Sequence, residues 1–237
     1  MSNPYFQFKQ FTVWHDKCAM KVGTDGVLLG AWANIQNCRH ILDIGTGTGL
    51  IALMLAQRCN AQIDAIDIDK EACEQARENV SSSPFSNRIH ISHISFNEYA
   101  CSCLSKYDLI VSNPPYFVDS LKCSEEKRRM ARHTDTLQLN DLIKYSNQLL
   151  VADGRIALVL PFEQLDILQT ISLKNKLYPC RKTNVIPKPE ATPKRLLIEL
   201  SHKIMLLPDT SNLIIEKSRH QYTDEYKALT QNFYLKM

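Results

Sequence analysis

Short apolar runs alternate with segments of helical period along most of the chain, and this alternation limits the fold more than any other feature of the sequence. The strand candidates are 40–44, 62–67, 88–95, 107–112, 155–160 and 196–201. Helix candidates over 49–58, 69–80 and 139–150 fall between them, each with apolar residues at helical spacing. Buried strands separated by helices of ten to fifteen residues require a parallel sheet covered on both faces. The expectation is therefore an α/β fold. At 237 residues, with 44% hydrophobic and 22% charged, the chain can bury one full core, so a single domain over 1–237 is expected.

Two segments lie outside the alternation. Residues 1–39 read as an extension covering the site, before a core over 40–237, and end in a helix expected over 25–35 with Thr24 as its N-cap. At the other end a helix opened by Thr223 is expected over 222–237, with Tyr226, Leu229 and Phe233 on one face. Pro187, Pro189 and Pro193 mark an irregular connection around 188–194. The eight cysteines (18, 38, 59, 73, 101, 103, 123 and 180) form no CxxC pair and have no His-x-x-x-His companion, so no metal is expected. Cysteines within apolar stretches act as small reduced hydrophobes, which points to the cytoplasm. No apolar run reaches the ~20 residues that span a membrane, and the first residues do not read as a signal peptide.

Net charge is only +3, but it is unevenly placed. Between 174 and 203 stand eight Lys/Arg (174, 176, 181, 182, 188, 194, 195 and 203) against Glu190 and Glu199. Such an excess can meet a phosphate backbone, or it can be an ordinary solvated surface.

Three of the seven glycines are Gly45, Gly47 and Gly49, which with Thr46 follow the strand Ile41-Leu42-Asp43-Ile44 and open a helix. Glycine there lets the backbone turn sharply and approach a ligand closely. The GxGxG spacing differs from the dinucleotide and P-loop patterns. Asp43 just before the turn would repel a pyrophosphate and attract an ammonium group. S-adenosylmethionine carries an amino-acid tail, a sulfonium and no phosphate, and is the expected cofactor. Asp67, with Ile68 beside it, ends the second strand, where a carboxylate commonly holds ribose hydroxyls. Asp69 reads instead as a helix cap. Ser95 and Phe96 at the end of the third strand would meet the edge and face of the cofactor adenine, although Ser95 can equally be a turn residue.

Asn113-Pro114-Pro115-Tyr116 follows the strand Tyr107–Ser112. A proline turn leaving a strand is the plain structural reading. The functional one rests on position and chemistry. Open α/β sheets bind ligands at the carboxyl ends of their strands. An exocyclic amino group is a poor nucleophile because its lone pair is delocalised into the ring. If the Asn113 side-chain oxygen and the Pro114 carbonyl accept its two hydrogens, the nitrogen can become pyramidal. The prolines hold that carbonyl rigidly and offer no competing N–H. The same oxygens stabilise the developing positive charge. Tyr116 can stack on the base, a contact worth ~1–3 kcal/mol in nucleic-acid sites.

DIGTGTG at 43–49 and NPPY at 113–116 resemble the cofactor and catalytic motifs of Rossmann-like amino-methyltransferases. Beyond them, FKQFTVWHDKCAMKVGTDGVLLGAW (8–32), LIALMLAQR (50–58), SNPPYF (112–117), ARHTD (131–135) and YTDEYKALTQNFYLKM (222–237) resemble the bacterial tRNA1(Val) adenosine-37 N6-methyltransferases. The resemblance runs nearly end to end. It implies a class I methyltransferase fold: a seven-stranded, mostly parallel sheet with helices on both faces and an antiparallel last strand. It also implies N6-methylation of the adenosine 3′-adjacent to the anticodon of a valine tRNA. Lys21 and Thr24 fall in its upstream cofactor motif. Phe117, Arg132 and His133 would lie on the substrate side, and Lys194 and Arg195 in the basic stretch are the further candidates for RNA.

The tetrapeptide itself leaves other acceptors open. Protein glutamine N5- and rRNA guanine N2-methyltransferases use the same motif, because all methylate a planar amino nitrogen. The basic stretch and the two terminal segments favour tRNA. A non-catalytic RNA-binding protein on this scaffold would not need Asp43, the glycine loop and Asn113 together. A nicotinamide oxidoreductase is disfavoured by the glycine spacing. Oligomeric state is not legible in the sequence.

Overall fold

The computed structural model describes residues 3–17, 21–115 and 137–236. A hairpin of β1 (Tyr5–Gln7) and β2 (Thr12–Trp14) comes first, then α1 (Thr24–Trp32). The alternating region follows as β3 (His40–Ile44), α2 (Leu50–Arg58), β4 (Gln62–Asp67), α3 (Lys70–Ser81), β5 (Ile89–His93), α4 (Phe96–Ser102) and β6 (Tyr107–Ser112). After the undescribed residues come α5 (Leu139–Leu149), β7 (Leu150–Pro161), α6 (Leu165–Lys174), β8 (Tyr178–Ile186), β9 (Arg195–Ser201) and β10 (Asp209–Ile214). A small pair, β11 (Glu216–Ser218) and β12 (Gln221–Tyr222), leads into α7 (Asp224–Thr230).

The large sheet has the order β10-β8-β9-β7-β6-β3-β4-β5. β9 runs antiparallel to both β7 and β8, and the other pairings are parallel. The expected seven strands are present, with β8 and β9 as the antiparallel pair. β10 adds an eighth strand at the edge, parallel to β8. Its sequence, DTSNLI, has too little apolar alternation to read as a strand, and only Leu213 of it is buried.

Period-two alternation divides the core. Ile41, Ile63, Leu109 and Leu197 face the side covered by α1, α2 and α3, where Leu53, Met54 and Ala76 are buried. Leu42, Ile110, Ile156 and Ile198 face the other side, against Leu142, Ile143 and Leu168 from α5 and α6. α1 is buried from Gly26 to Trp32, and its contact with α2 is close. A Cβ on Gly30 would stand 2.8 Å from the Met54 sulfur.

Several boundaries differ from the sequence reading. Gly23, not Thr24, is the N-cap of the first long helix; Thr24 lies inside its first turn, and the helix stops at Trp32. The third strand ends at His93, so Ser95 and Phe96 open α4 rather than close a strand. The C-terminal helix spans only Asp224–Thr230, though Thr223 caps it as expected by accepting from the Tyr226 amide. Residues 1–39 contain a hairpin that their three-residue strands did not advertise. Phe8 of that segment bridges Tyr234, and the Lys9 amide donates to the Phe233 carbonyl at 2.8 Å.

Candidate active site

Strand order reverses between β3 and β6, because β3 lies between β4 on one side and β6 on the other while their connections cross opposite faces. This is the topological switch point at which open α/β sheets leave a crevice beyond the carboxyl ends of the strands. The glycine loop leaves β3 and Asn113 leaves β6, so both border that crevice. The register places Ile44 beside Ser112, and the Ser112 hydroxyl donates to the Ile44 carbonyl at 2.8 Å. The two motifs, far apart in sequence, are thereby fixed side by side.

The glycine loop is built by its backbone. Gly45, Gly47 and Gly49 have φ values of 71°, 55° and 83°, in the left-handed region that costs an L side chain about 1–2 kcal/mol. The amides of Gly45 and Thr46 both donate to the Ile66 carbonyl, at 2.9 and 3.0 Å. The Gly47 amide donates to Asp67 Oδ2 at 2.7 Å, which ties the loop to the end of β4. A Cβ on Gly45 or Gly47 would meet no protein atom within 4 Å. Backbone conformation and open space, not protein packing, therefore select glycine at these two positions.

Asp43 lies fully buried beneath the loop. Its Oδ2 accepts from the Thr46 hydroxyl at 2.7 Å and from the Ala52 amide at 3.2 Å. Its Oδ1 is buried with no hydrogen-bond partner among the described residues. Burial pushes the carboxyl up to about 7, against the opposing pull of the Thr46 and Ala52 hydrogen bonds. A buried carboxylate oxygen without a donor, below an open glycine cradle, fits a cofactor that brings a cationic or N–H group and no phosphate. The residues present thus suit S-adenosylmethionine.

Asp67 spends one hydrogen bond per oxygen on the loops, taking the Asp69 amide on Oδ1 at 2.9 Å. A carboxylate has further lone pairs, so ribose hydroxyls can still bind. Asp69 caps α3 through the amides of Glu71 and Ala72, the role assigned to it from sequence. The Ile68 side chain is about half exposed, and the His93 ring hydrogen-bonds the Ile68 carbonyl at 3.0 Å, holding this corner in place. Ser95 forms a capping box with Glu98, and Phe96 is buried with its ring edge-on to Tyr145. Both stand one strand beyond Asp67, at the same end of the sheet.

Asn113 is half-buried and Pro114 buried, immediately past the end of β6. Tyr116, Phe117, Arg132 and His133 lie outside the described residues. Lys21 and Thr24 precede and open α1; Thr24 borders a groove with Lys194 and Arg195, and two residues further on a Cβ at Gly26 would stand 3.0 Å from the side chain of Leu50, which follows the glycine loop. Lys194 and Arg195 are at the crevice end. The whole basic stretch is not one patch, however. Arg181 is partly buried, paired with Glu199 at 3.1 Å and stacked 3.8 Å above the Trp32 ring.

One residue was missed by sequence reasoning. Asn79, buried on α3, donates to the Thr48 carbonyl within the glycine loop and to the Trp14 carbonyl, both at 2.9 Å. It also accepts from the Trp14 amide at 2.9 Å. It thus ties the N-terminal hairpin to the cofactor loop. The only sequence signal was an amide on the apolar side of a helix.

Among the described residues no cluster of His, Cys, Asp or Glu could hold a metal ion, and no helix is long and apolar enough to cross a membrane.

The model of the methyltransferase small domain family matches residues 22–181. A tRNA1(Val) (adenine(37)-N6)-methyltransferase from Parabacteroides distasonis is 61% identical over the full length of both chains. Proteins of the same name from Bacteroides fragilis and Trichodesmium erythraeum are 53% and 46% identical, again over the full length of both chains. Among solved structures, an Agrobacterium tumefaciens protein described as a predicted O-methyltransferase superposes with a TM-score of 0.68 at 19% identity, covering 88% of this chain and 96% of its own. The ribosomal protein L11 methylase of Lactobacillus delbrueckii gives 0.54 at 20%, covering 76% and 77%. At such identities these two likenesses concern the fold.

Proposed function

We propose, from the premise that this chain belongs to the methyltransferase small domain family and within it to the tRNA1(Val) (adenine(37)-N6)-methyltransferases, that it methylates N6 of adenosine 37 in tRNA1(Val). The enzyme is a methyltransferase that uses S-adenosylmethionine. The observation that carries the reading is the pairing of Ile44 with Ser112 at the switch point, which brings the cofactor loop and Asn113 to one crevice.

When bound, the cofactor supplies an activated methyl group on a sulfonium, so no strong base is needed to drive the transfer. Asp43 offers Oδ1 to the amino-acid end, and the glycine loop offers space without side chains. Asp67 takes the ribose hydroxyls, and Ile68 gives an apolar wall for the base. Lys21 and Thr24 serve the carboxylate end and Ser95 the adenine edge, while the Phe96 ring, expected on the adenine face, is buried in the core against Tyr145 and supports that corner from within.

Asn113 and the Pro114 carbonyl accept the two hydrogens of the target amino group. Withdrawing them from the ring plane concentrates the nitrogen lone pair and aims it at the methyl. Tyr116 stacks on the target base, and Phe117, Arg132 and His133 serve as further substrate residues. An adenine inside a folded anticodon loop is reached only when splayed out of its stack, as for other base-modifying enzymes.

The test is transfer of labelled methyl from S-adenosylmethionine to total tRNA from a strain lacking the gene. The expected product is N6-methyladenosine at position 37 of tRNA1(Val). Label on guanosine or in a release factor would overturn the adenine reading. Asn113→Ala should reduce kcat at least ~100-fold while S-adenosylhomocysteine binding stays within about threefold, as expected for loss of an interaction made in the transition state. Near-normal turnover would refute its role.

A further inference from the structure

The eight lysines and arginines between 174 and 203 form one block in sequence and several in space. Register fixes the levels. Ser201 at the end of β9 is level with Arg155, which is level with Leu109 and through it with Ile41. That is the amino end of the parallel strands. Arg195 at the start of β9 pairs with Pro161, three residues beyond Leu158, and Leu158 is level with Ser112. That is the crevice end, two strands or about 10 Å across the sheet from Asn113.

The cations divide accordingly. Lys203 follows Ser201; Lys174 ends α6, and Lys176 precedes Tyr178, which pairs with Ser201. All three therefore lie at the amino end, about 20 Å along the strands from Arg195. Arg181 is committed to Glu199 and Trp32, and Lys182 lies within β8, level with Ile198. Lys188 and Lys194, both exposed, stand in the β8–β9 connection at the crevice end.

That connection is stiff. Pro187, Pro189 and Pro193 fix φ at three positions, the Lys194 amide donates to the Val185 carbonyl at 2.9 Å, and the Ala191 amide donates to the Lys188 carbonyl at 3.2 Å. A groove of about 430 Å³ runs between it and α1, with Leu28, Val185, Pro187 and Ile215 as an apolar floor and Thr24 and Lys194 at the rim. Arg195 Nε donates to Asp25 Oδ2 at 2.8 Å and bolts the start of β9 to α1, setting the width of the groove. Glu190 is the one exposed carboxylate of the connection, and it does not neutralise two lysines.

We infer that Lys188 and Lys194, over this groove, hold the phosphate backbone of the tRNA beside the flipped nucleotide, with Arg195 as a positioning residue. The inference rests on the RNA reading above and deepens it. Exposed ammonium groups on a stiff loop attract phosphate with little ordering cost, and each contact releases counterions, so binding weakens steeply with salt. Lysines about 20 Å away, beyond the Debye length of ~10 Å at 0.1 M salt, act little on the phosphates held at the groove.

Two double variants of equal charge change separate the possibilities: K188E/K194E at the crevice end and K174E/K203E at the amino end. Binding of tRNA1(Val) by fluorescence polarisation at several salt concentrations is measured beside methyl transfer. K188E/K194E should raise both Kd and KM for tRNA about tenfold or more and reduce the salt slope by about two. Its kcat at saturating tRNA and its S-adenosylhomocysteine affinity should stay close to wild type. K174E/K203E should change tRNA affinity less than about threefold, and K188R/K194R should bind like wild type. Equal effects of the two double variants, or no effect of K188E/K194E, would overturn the proposal. A wild-type protein that binds tRNA with this pattern and fails to methylate it would sink the adenosine reading and leave the surface standing.

Discussion

At the scale of single residues, Asp43 concentrates the chemistry of the cofactor site. Its carboxyl is fully buried and raised to about 7, well above its value in an unfolded chain. For an acid with a raised folded-state pKa, stability is fully present below the unfolded value near 4 and is lost as pH rises through about 7. The ligand-free protein should therefore lose stability over that window on account of this group. Asp43→Asn should be more thermally stable than wild type at pH 8, by a margin that vanishes near pH 4. The same ionisation gives the carboxylate that meets the cofactor's ammonium. Wild-type affinity for S-adenosylhomocysteine should rise with pH up to about 7 and then flatten, whereas Asp43→Asn should bind weakly at every pH. Calorimetric titration and thermal melts across pH 4–8 check both. A pH-independent gap between the two proteins would dismiss Asp43 as the titrating group.

At the scale of elements, the contact between α1 and α2 is close because Gly30 has no Cβ. A methyl there would lie 2.8 Å from the Met54 sulfur and 2.9 Å from the Met54 Cβ. The Cβ is part of a rigid helix, so a shift of the flexible sulfur alone cannot relieve the overlap. Gly30→Ala should therefore destabilise by about 1–3 kcal/mol despite the better helix propensity of alanine. A thermal melt showing gain rather than loss would mean that the two helices separate freely. Elements of this kind also show what the sequence could convey. β3, β4 and β6 were legible to the residue because strands buried on both faces are continuous apolar runs between turn signals. β8, reading YPCRKTNVI, contains a proline and the polar run Arg181-Lys182-Thr183-Asn184 before its buried Val185, so its pattern does not read as a strand. The site shared this division. Its motifs could be read because glycine and Asn-Pro-Pro are chemically unusual at strand ends. Asn79 and the Asp25–Arg195 pair could not, since their partners lie 31 to 170 residues away in the sequence.

At the scale of the whole molecule, both ends of the chain pack on the α1–α2 side of the sheet. Phe8, Phe11, Tyr226 and Phe233 are buried there in the same core as Leu53 and Met54. Phe233, only 2% exposed, is central to that seam. Phe233→Ala should cost about 3–5 kcal/mol, measured by denaturant unfolding, with the urea midpoint falling and the slope little changed. A loss below about 1 kcal/mol would show that the terminal segments are dispensable to the core.

The tie between the two ends also has a kinetic side. The Lys9 ammonium donates to the carbonyl of Gln231, 222 residues further along. Closing a loop of nearly the entire chain is entropically costly before any contact rewards it, and contacts of such long range form late. The hairpin that Asn79 fastens to the glycine loop should then gain its full support only after the central sheet has assembled. In refolding, protection of the amides in β3 and β4 from hydrogen exchange should precede protection of those in β1 and β2, and competence to bind cofactor should follow the later event.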